Sequence, residues 1–213
     1  MIKYIYADNL SRDPVLKSGM FQDRRVQFKE RQQWAVNVNA DGEEIDAYDA
    51  MNPLYVISVD AHGRHAGSMR FLPTIGQTMI NDHFTHLSGG VTIASPLIWE
   101  CTRFCISPHI ANTGEVAAKL MLAACELGLQ FGLEYSVGVF DARMVRIYRR
   151  IGWSPDIIGT AGTGGDEISV GLWEFSLKTK LLLCAKFKIS PRDVENWFEA
   201  SFTIAEIPKV AVA

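Results

Sequence analysis

One segment constrains the fold more than any other, because it joins two strand-like stretches through a long amphipathic helix. The first stretch is "PLIWECTRFCISP" (96–108), and Pro108 ends it. Apolar residues then recur at helical spacing over 114–133, and "EYSVGVF" (134–140) has the character of a strand. A helix between two strands of one sheet crosses over its face. The segment predicts a mixed α/β protein in which 96–108 is a central strand.

The remaining elements are predicted from local patterns. An acidic, turn-rich loop is predicted over 37–52, and the turn "AHGR" is expected to join two hairpin strands. His62 and His65 bracket that turn and are expected at the surface. The other predictions are an opening strand at 2–7, amphipathic helices within 11–31, a short helix and loop at 78–90, a helix at 141–152 begun by Asp141, a glycine-rich loop at 159–167, a strand at 168–177 and a helix at 190–202.

Composition excludes several classes of protein. The 213 residues suffice for one large domain, and the net charge of −3 gives no bias toward nucleic acid or anionic membranes. The first ten residues lack the apolar core of a signal peptide and no apolar run reaches ~20 residues, so a cytoplasmic location without membrane insertion is predicted. The cysteines lack the spacing of a zinc site and are expected to be buried free thiols: Cys101, Cys105, Cys125 and Cys184.

The predicted central strand contains two charges, Glu100 and Arg103, among apolar residues. Burying an unpaired charge is costly. Residues three apart in a regular strand also point to opposite faces, so the two charges can share a site only if the strand departs from regular pairing. A β-bulge inserts one extra residue and does this. We therefore expect a bulge or marked twist near residues 101–103.

Other polar residues in apolar or aromatic settings join these two, and together they resemble a known family. The sequence is similar to the acyl-homoserine lactone synthases, the LuxI-type autoinducer synthases of bacterial quorum sensing. The similarity covers roughly residues 1–155, with "ECTRF" at its core, and the remainder is less diagnostic. The matching positions are Arg24, Phe28, Trp34, Asp46, Asp49, Arg70, Phe84, Glu100 and Arg103.

The resemblance implies an α/β fold like that of the N-acetyltransferases, with a mixed sheet, helices on both faces and a single domain. Within 1–213, residues 1–53 would form a helical and loop cap over a pocket for S-adenosylmethionine (SAM). Residues 54–178 would form the central sheet and crossover helix, and 179–213 a variable part. The implied reaction joins the acyl group of an acyl-acyl-carrier-protein or acyl-coenzyme A to SAM, releasing methylthioadenosine. It needs no metal and no cofactor, because SAM is a substrate.

The resemblance also implies roles that suit the residue types. An α-amine with a pKa near ~8 must lose a proton before it attacks, and a carboxylate such as Glu100 can take it. Aromatic faces can hold the sulfonium, and arginines the carboxylate of SAM. The implied catalytic residues are Glu100, Arg103, Arg70, Asp46 and Asp49. The implied SAM-binding residues are Arg24, Phe28, Trp34, Asp46, Asp49, Arg103 and Phe104.

The acyl thioester would enter where the strands at 97–106 and 134–140 splay apart. Several family members that prefer 3-oxo chains carry a threonine where this chain has Gly138, so the resemblance implies extra room there and does not support a 3-oxo preference. The expected cleft residues are Met79, Phe84, Leu122, Val137, Gly138, Val139 and Met144. A basic stripe on helix 141–152 would face an acidic carrier protein: Arg143, Arg146, Arg149 and Arg150.

Two other functions remain open at this point. An N-acetyltransferase-like enzyme could transfer an acyl group to a different amine, and a non-catalytic domain could merely bind an acyl thioester. Release of methylthioadenosine separates the first alternative from lactone synthesis. The effect of Glu100→Gln on activity separates the second alternative, a non-catalytic domain, from an enzyme.

Overall fold

The computed structural model describes residues 1–202 and contains one mixed sheet of seven strands in the order β1-β2-β3-β4-β5-β7-β6. Only the pair β4–β5 is parallel; the other neighbours are antiparallel. The predicted crossover from β4 to β5 is thus confirmed. The strands are β1 Ile2–Tyr6, β2 Leu54–Val59, β3 His65–Pro73, β4 Ile98–Ile106, β5 Tyr135–Asp141, β6 Asp156–Ala161 and β7 Ile168–Glu174.

Helices cover both faces of the sheet, because alternate residues of the central strands are apolar on each side. Met69 and Phe71 of β3 pack in one core with the long crossover helix α4, and Tyr55 and Ile57 of β2 pack in another with α2. The helices are α1 Ala7–Leu10, α2 Pro14–Arg24, α3 Met79–His83, α4 Thr113–Gln130, α5 Ala142–Ile151, α6 Leu177–Phe187 and α7 Pro191–Phe202. A π-helix, Arg25–Arg31, continues α2, and 3₁₀ turns occupy Ala47–Met51, Thr85–Ser88 and Gly164–Asp166.

Side-chain caps explain where several helices begin. The carboxylate of Asp13 accepts a hydrogen bond from the backbone N–H of Leu16 at the start of α2. The carboxylate of Asp141 accepts bonds from Arg143 and Met144 at the start of α5, as predicted. Such caps satisfy backbone donors that the first helical turn leaves unpaired.

Strand β4 contains the bulge that its charges required. Ser68 of β3 pairs with Cys105 and Arg70 pairs with Thr102, so Met69 faces both Arg103 and Phe104. Two residues opposite one define a β-bulge. Arg103 has a φ of 54°, in the left-handed region that non-glycine residues rarely adopt. The predicted departure from a regular strand is therefore confirmed. It lies at Arg103 and Phe104, one to two residues after the centre of the expected range 101–103.

Strands β4 and β5 diverge beyond Glu100. Their paired residues end at Glu100 and Val137, although both strands continue. Gly138 lies at the point of divergence, where an added Cβ would come within 3.1 Å of the backbone oxygen of Cys101. The splay is therefore as predicted, but the extra room expected at Gly138 is not present. The absence of a side chain allows the two backbones to approach.

Some sequence predictions are wrong. β1 belongs to the sheet rather than to the cap, and β6 and α6 were not predicted; β6 takes in part of the expected glycine-rich loop. His65 is buried under α2, where its Nδ1 lies 2.6 Å from Asp23 and its Nε2 lies 3.0 Å from Ser68 Oγ. Of the expected variable part, positions 203–213 lie outside the described residues. Over residues 1–202, no helix has the length and apolarity to cross a membrane.

Candidate active site

Three arginines and three carboxylates form one connected network between the sheet and the cap. The arginines come from α2, β3 and β4, and the carboxylates come from the loop around Ala47–Met51. Three positive and three negative charges cancel, so the network as a whole is close to neutral. Its members are Arg24, Arg70, Arg103, Glu44, Asp46 and Asp49.

Arg24 anchors the network from α2 and is almost fully buried. Its two terminal nitrogens donate to the two oxygens of Asp49 at 2.9 Å each, and its Nε donates to Glu44 at 2.6 Å. Burial alone would raise the pKa of Asp49, but the positive charges of Arg24 and Arg70 outweigh it and hold that pKa below its usual range. The pair is therefore fully ionised at neutral pH.

The arginines of the sheet complete the network. Arg70 donates to Asp49 at 2.8 Å and to Asp46 at 3.0 Å, and its Nε donates to Thr102 at 3.0 Å. Arg103 donates to Asp46 at 2.7 Å and to Glu44 at 2.9 Å. The bulge places Arg103 on the same side of the sheet as Arg70, since both reach Asp46. Each arginine thus contacts two carboxylates.

The acidic loop holds its carboxylates in place through a capping box. The Asp46 side chain accepts hydrogen bonds from the N–H groups of Tyr48 and Asp49, and the Asp49 side chain accepts one from the N–H of Asp46. Glu44, which is completely buried, was missed from the sequence. The signal in the sequence was its spacing from Asp46, with Ile45 between them, because residues two apart in an extended segment point to the same side.

Glu100 lies beside this network without joining it. Its two carboxylate oxygens accept hydrogen bonds from the backbone N–H groups of Ile80, at 2.6 Å, and Met79, at 3.1 Å, at the start of α3. Burial raises the pKa of the Glu100 carboxyl, and those two hydrogen bonds offset only part of the effect. Within residues 1–202 it has no ion-pair partner, so when ionised it adds one negative charge beside the neutral network.

Aromatic rings cover the network on the cap side. Phe28 and Trp34 stack with ring centroids 5.2 Å apart, and the guanidinium of Arg103 lies 5.4 Å from the Phe28 centroid. Trp34 remains 44% exposed, so one of its faces is open to a ligand. Both residues therefore lie where a cationic substrate could contact them.

A cavity of about 120 Å³ passes between β4 and β5 from the cap side to the α4 side. Phe28 and Arg103 line its cap end, and Met69 and Met121 line its other end, against α4. Its walls are mostly apolar. They also include Thr102, Ser136, Gly138, Val139, Phe140, Met144, Tyr148, Trp153 and Trp173.

Several residues predicted for the cleft do line this cavity, namely Met79, Gly138, Val139 and Met144. Leu122 does not, because successive helical residues differ by about 100° and α4 presents Met121 and Ala124 instead. Val137 does not either. It points to the other face of β5 and packs with Ile80 and Val170.

Two predicted aromatic residues lie elsewhere than expected. Phe84 lines a second, wider cavity on the cap side, together with Asp46, Trp34 and Arg103. Phe104 packs against the core around α4 and lines the cavity between the strands. It follows the bulge and therefore does not lie with the charged network where SAM was expected.

The basic stripe on α5 is exposed, as predicted for a docking surface. Arg143, Arg146, Arg149 and Arg150 are all accessible, and Arg143 pairs with Asp141 at 3.0 Å. Across residues 1–202, no group of three or more His, Cys, Asp or Glu side chains is arranged to hold a metal ion. The four cysteines are free thiols.

Comparison with known proteins identifies the family. The model of the autoinducer synthase family matches residues 8–174. The chain belongs to the autoinducer synthase family. It is 38% identical over 179 residues to an acyl-homoserine-lactone synthase of Rhizobium etli, a match covering 82% of this chain and 84% of that one.

Solved structures agree on the fold of this autoinducer synthase. A CoA-dependent acyl-homoserine lactone synthase, BjaI, solved with SAM and isopentyl-CoA, has a TM-score of 0.79 at 22% identity, covering 89% of this chain and 90% of that one. An N-acetyltransferase from Lactobacillus plantarum has a TM-score of 0.55 at 15% identity, with 82% and 99% covered. The N-acetyltransferase-like fold is therefore confirmed.

Proposed function

We propose that this autoinducer synthase makes N-acyl-L-homoserine lactone from an acyl thioester and SAM, and releases methylthioadenosine. The observation that carries the proposal is a neutral network of buried charges with one additional carboxylate, Glu100, beside a cavity that crosses the sheet. The names of the relatives support the same reaction. The two substrates would approach from opposite faces of the sheet and meet near the bulge.

The charge of the site suits SAM. Its ammonium and sulfonium groups carry two positive charges and its carboxylate one negative charge, so the substrate brings a net charge of about +1 at neutral pH. An ionised Glu100 beside the neutral network supplies the opposite charge. The stacked Phe28 and Trp34 offer aromatic faces for the sulfonium. Cap-side residues would thus bind SAM, with Arg24 and Arg70 holding the acidic side chains of the network in place.

The reaction has two bond-forming steps. The amine of SAM loses a proton toward Glu100, its nitrogen attacks the thioester carbon, and the thiol leaves with a proton. A carboxylate oxygen of the acylated intermediate then attacks its own γ-carbon, and methylthioadenosine leaves with the electron pair of the broken C–S bond. Glu100 does not line the cavity between the strands, so we propose that a water molecule carries the proton.

The arginine network positions the substrate and does not transfer protons. Arg103 contacts Asp46, Glu44 and the sulfur of Met79, and it lines both the cavity between the strands and the wider cap-side cavity. Holding the substrate folded for ring closure is worth roughly 7–11 kcal/mol in well-oriented intramolecular reactions. An arginine held by two carboxylates suits this task.

The remaining proposals concern donor, cofactor and location. The exposed arginines of α5 favour docking of an acidic acyl carrier protein, while coenzyme A remains the alternative donor. We propose that neither a metal nor a cofactor takes part. Four free thiols are consistent with a reducing cytoplasm as the location.

Product analysis tests the proposed function. The purified protein is mixed with SAM and either acyl-coenzyme A or acyl-carrier protein, and methylthioadenosine and lactone are measured by mass spectrometry. We expect both products in equal amounts. Acyl transfer to another amine without methylthioadenosine would favour a different N-acyltransferase, and binding of the thioester without turnover would favour a non-catalytic domain.

A further inference from the structure

Helix α6 exposes leucines where a surface helix ordinarily exposes polar residues. Leu177, Leu181 and Leu182 are 60%, 47% and 60% exposed. The buried side of the same helix contains Lys180, which is only 4% exposed. A surface helix usually turns its apolar residues toward the core and its charged residues toward water, so α6 inverts that pattern at these four positions.

Buried ion pairs fix the rotation of α6. The Nζ atom of Lys180 lies 2.7 Å from the carboxylate of Glu126 on α4 and 3.1 Å from that of Glu195 on α7. Turning α6 to bury its leucines would separate Lys180 from Glu126, which is completely buried. An uncompensated buried charge is strongly unfavourable. The fold therefore holds the leucines on the outside.

The exposed side of α6 consists of two adjacent rows. Residues four apart on a helix lie above one another, so Leu177 and Leu181 form one row. In the other row, Leu182 lies between Lys178 and Lys186. Both of these lysines are exposed, and neither forms an ion pair within residues 1–202. Because α6, LKTKLLLCAKF, contains no acidic residue, its exposed side is both apolar and positively charged.

The positive charge continues onto the neighbouring helix. The Nζ atom of Lys186 lies 3.2 Å from the position that a Cβ would take on Gly152, the residue that caps the C-terminus of α5. A cation is favoured there by the helix dipole. Arg149 and Arg150 in the last turn of α5 are also exposed. The end of α5 and the outer side of α6 thus form one cationic surface that contains the leucines.

Exposed leucines among cations suit the surface of an anionic membrane. A peripheral helix buries apolar side chains among the lipid headgroups, while its lysines and arginines attract anionic lipids. The net charge of the chain is −3, so attraction to anionic lipids has to come from a local surface of this kind. A second copy of the chain fits less well, because a symmetric dimer would bring the same lysines against each other.

We propose that the outer side of α6 binds the surface of a bilayer that contains anionic phospholipids, without crossing it. The residues that carry this binding are Leu177, Lys178, Leu181, Leu182 and Lys186. A bilayer offers both anionic headgroups for the lysines and an apolar layer for the leucines. The binding requires neither SAM nor an acyl thioester, and it is therefore independent of the proposed reaction.

Vesicle binding tests the proposal. The full-length protein is sedimented with vesicles of phosphatidylcholine alone or of equimolar phosphatidylcholine and phosphatidylglycerol, and the bound fraction gives a partition coefficient. We expect at least about tenfold stronger binding to the anionic vesicles, decreasing as salt screens the charges. Leu181→Gln with Leu182→Gln should reduce partitioning about tenfold by removing apolar contact. Lys178→Gln with Lys186→Gln should reduce it about tenfold by removing charge.

Two exposed isoleucines on β6 provide the matched control. Ile157 and Ile158 are 53% and 44% exposed, and the exposed residue before them is Asp156 rather than a lysine. Ile157→Thr with Ile158→Thr should keep vesicle binding. Methylthioadenosine release with acyl-coenzyme A in solution is measured for every variant and should be unchanged, which shows that each variant is folded. If the leucine variant does not fold, the lysine variant and the salt dependence decide.

Several outcomes would overturn the proposal. One is failure of the unaltered protein to bind anionic vesicles, and another is binding that neither double variant weakens. A leucine variant with a changed oligomeric state in the absence of vesicles would assign α6 to a second copy. A lysine variant with normal vesicle binding but a lower kcat/KM for acyl-carrier protein would assign it to the carrier. Absence of methylthioadenosine release in the unaltered protein would instead overturn the proposed function.

Discussion

Replacing Glu100 by glutamine tests proton transfer most directly, because the two side chains have nearly the same shape. The proposed base loses its charge and its ability to accept a proton from the amine. General-base removal reduces turnover by about 10²–10⁴-fold. We therefore expect kcat for lactone formation to fall by at least about 100-fold, with little change in the KM for the acyl donor.

The structure also sets the expected effect on stability. Glu100 accepts hydrogen bonds from two backbone N–H groups, and glutamine can accept only one with its oxygen while its NH₂ faces the other. Losing one such bond costs about 1 kcal/mol. Removing a buried charge offsets part of this, so the melting temperature should fall by no more than ~2–4 °C.

The pH dependence separates the role of Glu100 in catalysis from its effect on stability. Since burial raises the pKa of the carboxyl, the rate in the unaltered protein should decline as pH falls through a value above the usual 4.5. The same shift favours the protonated folded state, so the contribution of Glu100 to stability should decrease as pH rises from 4.5 through the raised pKa. Both dependences should be absent in Glu100→Gln.

A matched control is Glu126→Gln. Glu126 is equally buried but pairs with Lys180 at 2.7 Å, away from both cavities. The substitution Glu126→Gln should lower the melting temperature more than Glu100→Gln does, and it should leave the pH–rate profile unchanged. The base role of Glu100 is refuted by a loss of turnover below threefold. It is also refuted if activity is lost together with a melting decrease above ~10 °C, which would point to detachment of α3.

Three further outcomes follow from the network and the basic stripe. Arg24→Met should reduce the free energy of unfolding by about 3 kcal/mol in urea titrations, because it leaves buried carboxylates less well paired; a loss below 1 kcal/mol would contradict a tightly coupled network. The lowered pKa of Asp49 means that its stabilisation is complete above about pH 4 and is lost as pH falls further, so Asp49→Asn should show a shallower loss of stability between pH 4 and 2. Reversing two exposed charges, Arg146→Glu with Arg149→Glu, should lower kcat/KM about tenfold for acyl-carrier protein at low salt and little for acyl-coenzyme A; equal losses would argue against a carrier-specific surface.

Sequence patterns predicted the central strand, the crossover helix and the bulge because each has a local physical cause. Two charges three apart in an apolar strand can share a site only through irregular pairing, and the register shift at Arg103 confirms that reasoning. Five of the six network residues, all except Glu44, were also found from sequence, since charges in apolar settings need partners. The family resemblance supplied the roles that chemistry alone left open.

Other features could not be predicted because they depend on which face of an element meets its neighbour. Leu122 and Met121 are both apolar and adjacent in α4, yet only Met121 reaches the cavity. His65 was expected in an exposed turn, but the strand begins at that residue and α2 covers it. The outward leucines of α6 are invisible in sequence, since the rotation of that helix depends on the ion pairs of Lys180.

The cavity that crosses the sheet between β4 and β5 has a consequence for inhibitor design. A molecule that joins a SAM mimic to an acyl-chain mimic would have to thread the gap beside Gly138, where the backbone of Cys101 leaves little width. A slender, unbranched linker would fit the gap. A bulky linker would not, so the SAM mimic and the acyl-chain mimic would have to bind on the same face of the sheet. Linker thickness, more than linker length, should therefore decide the potency of such compounds.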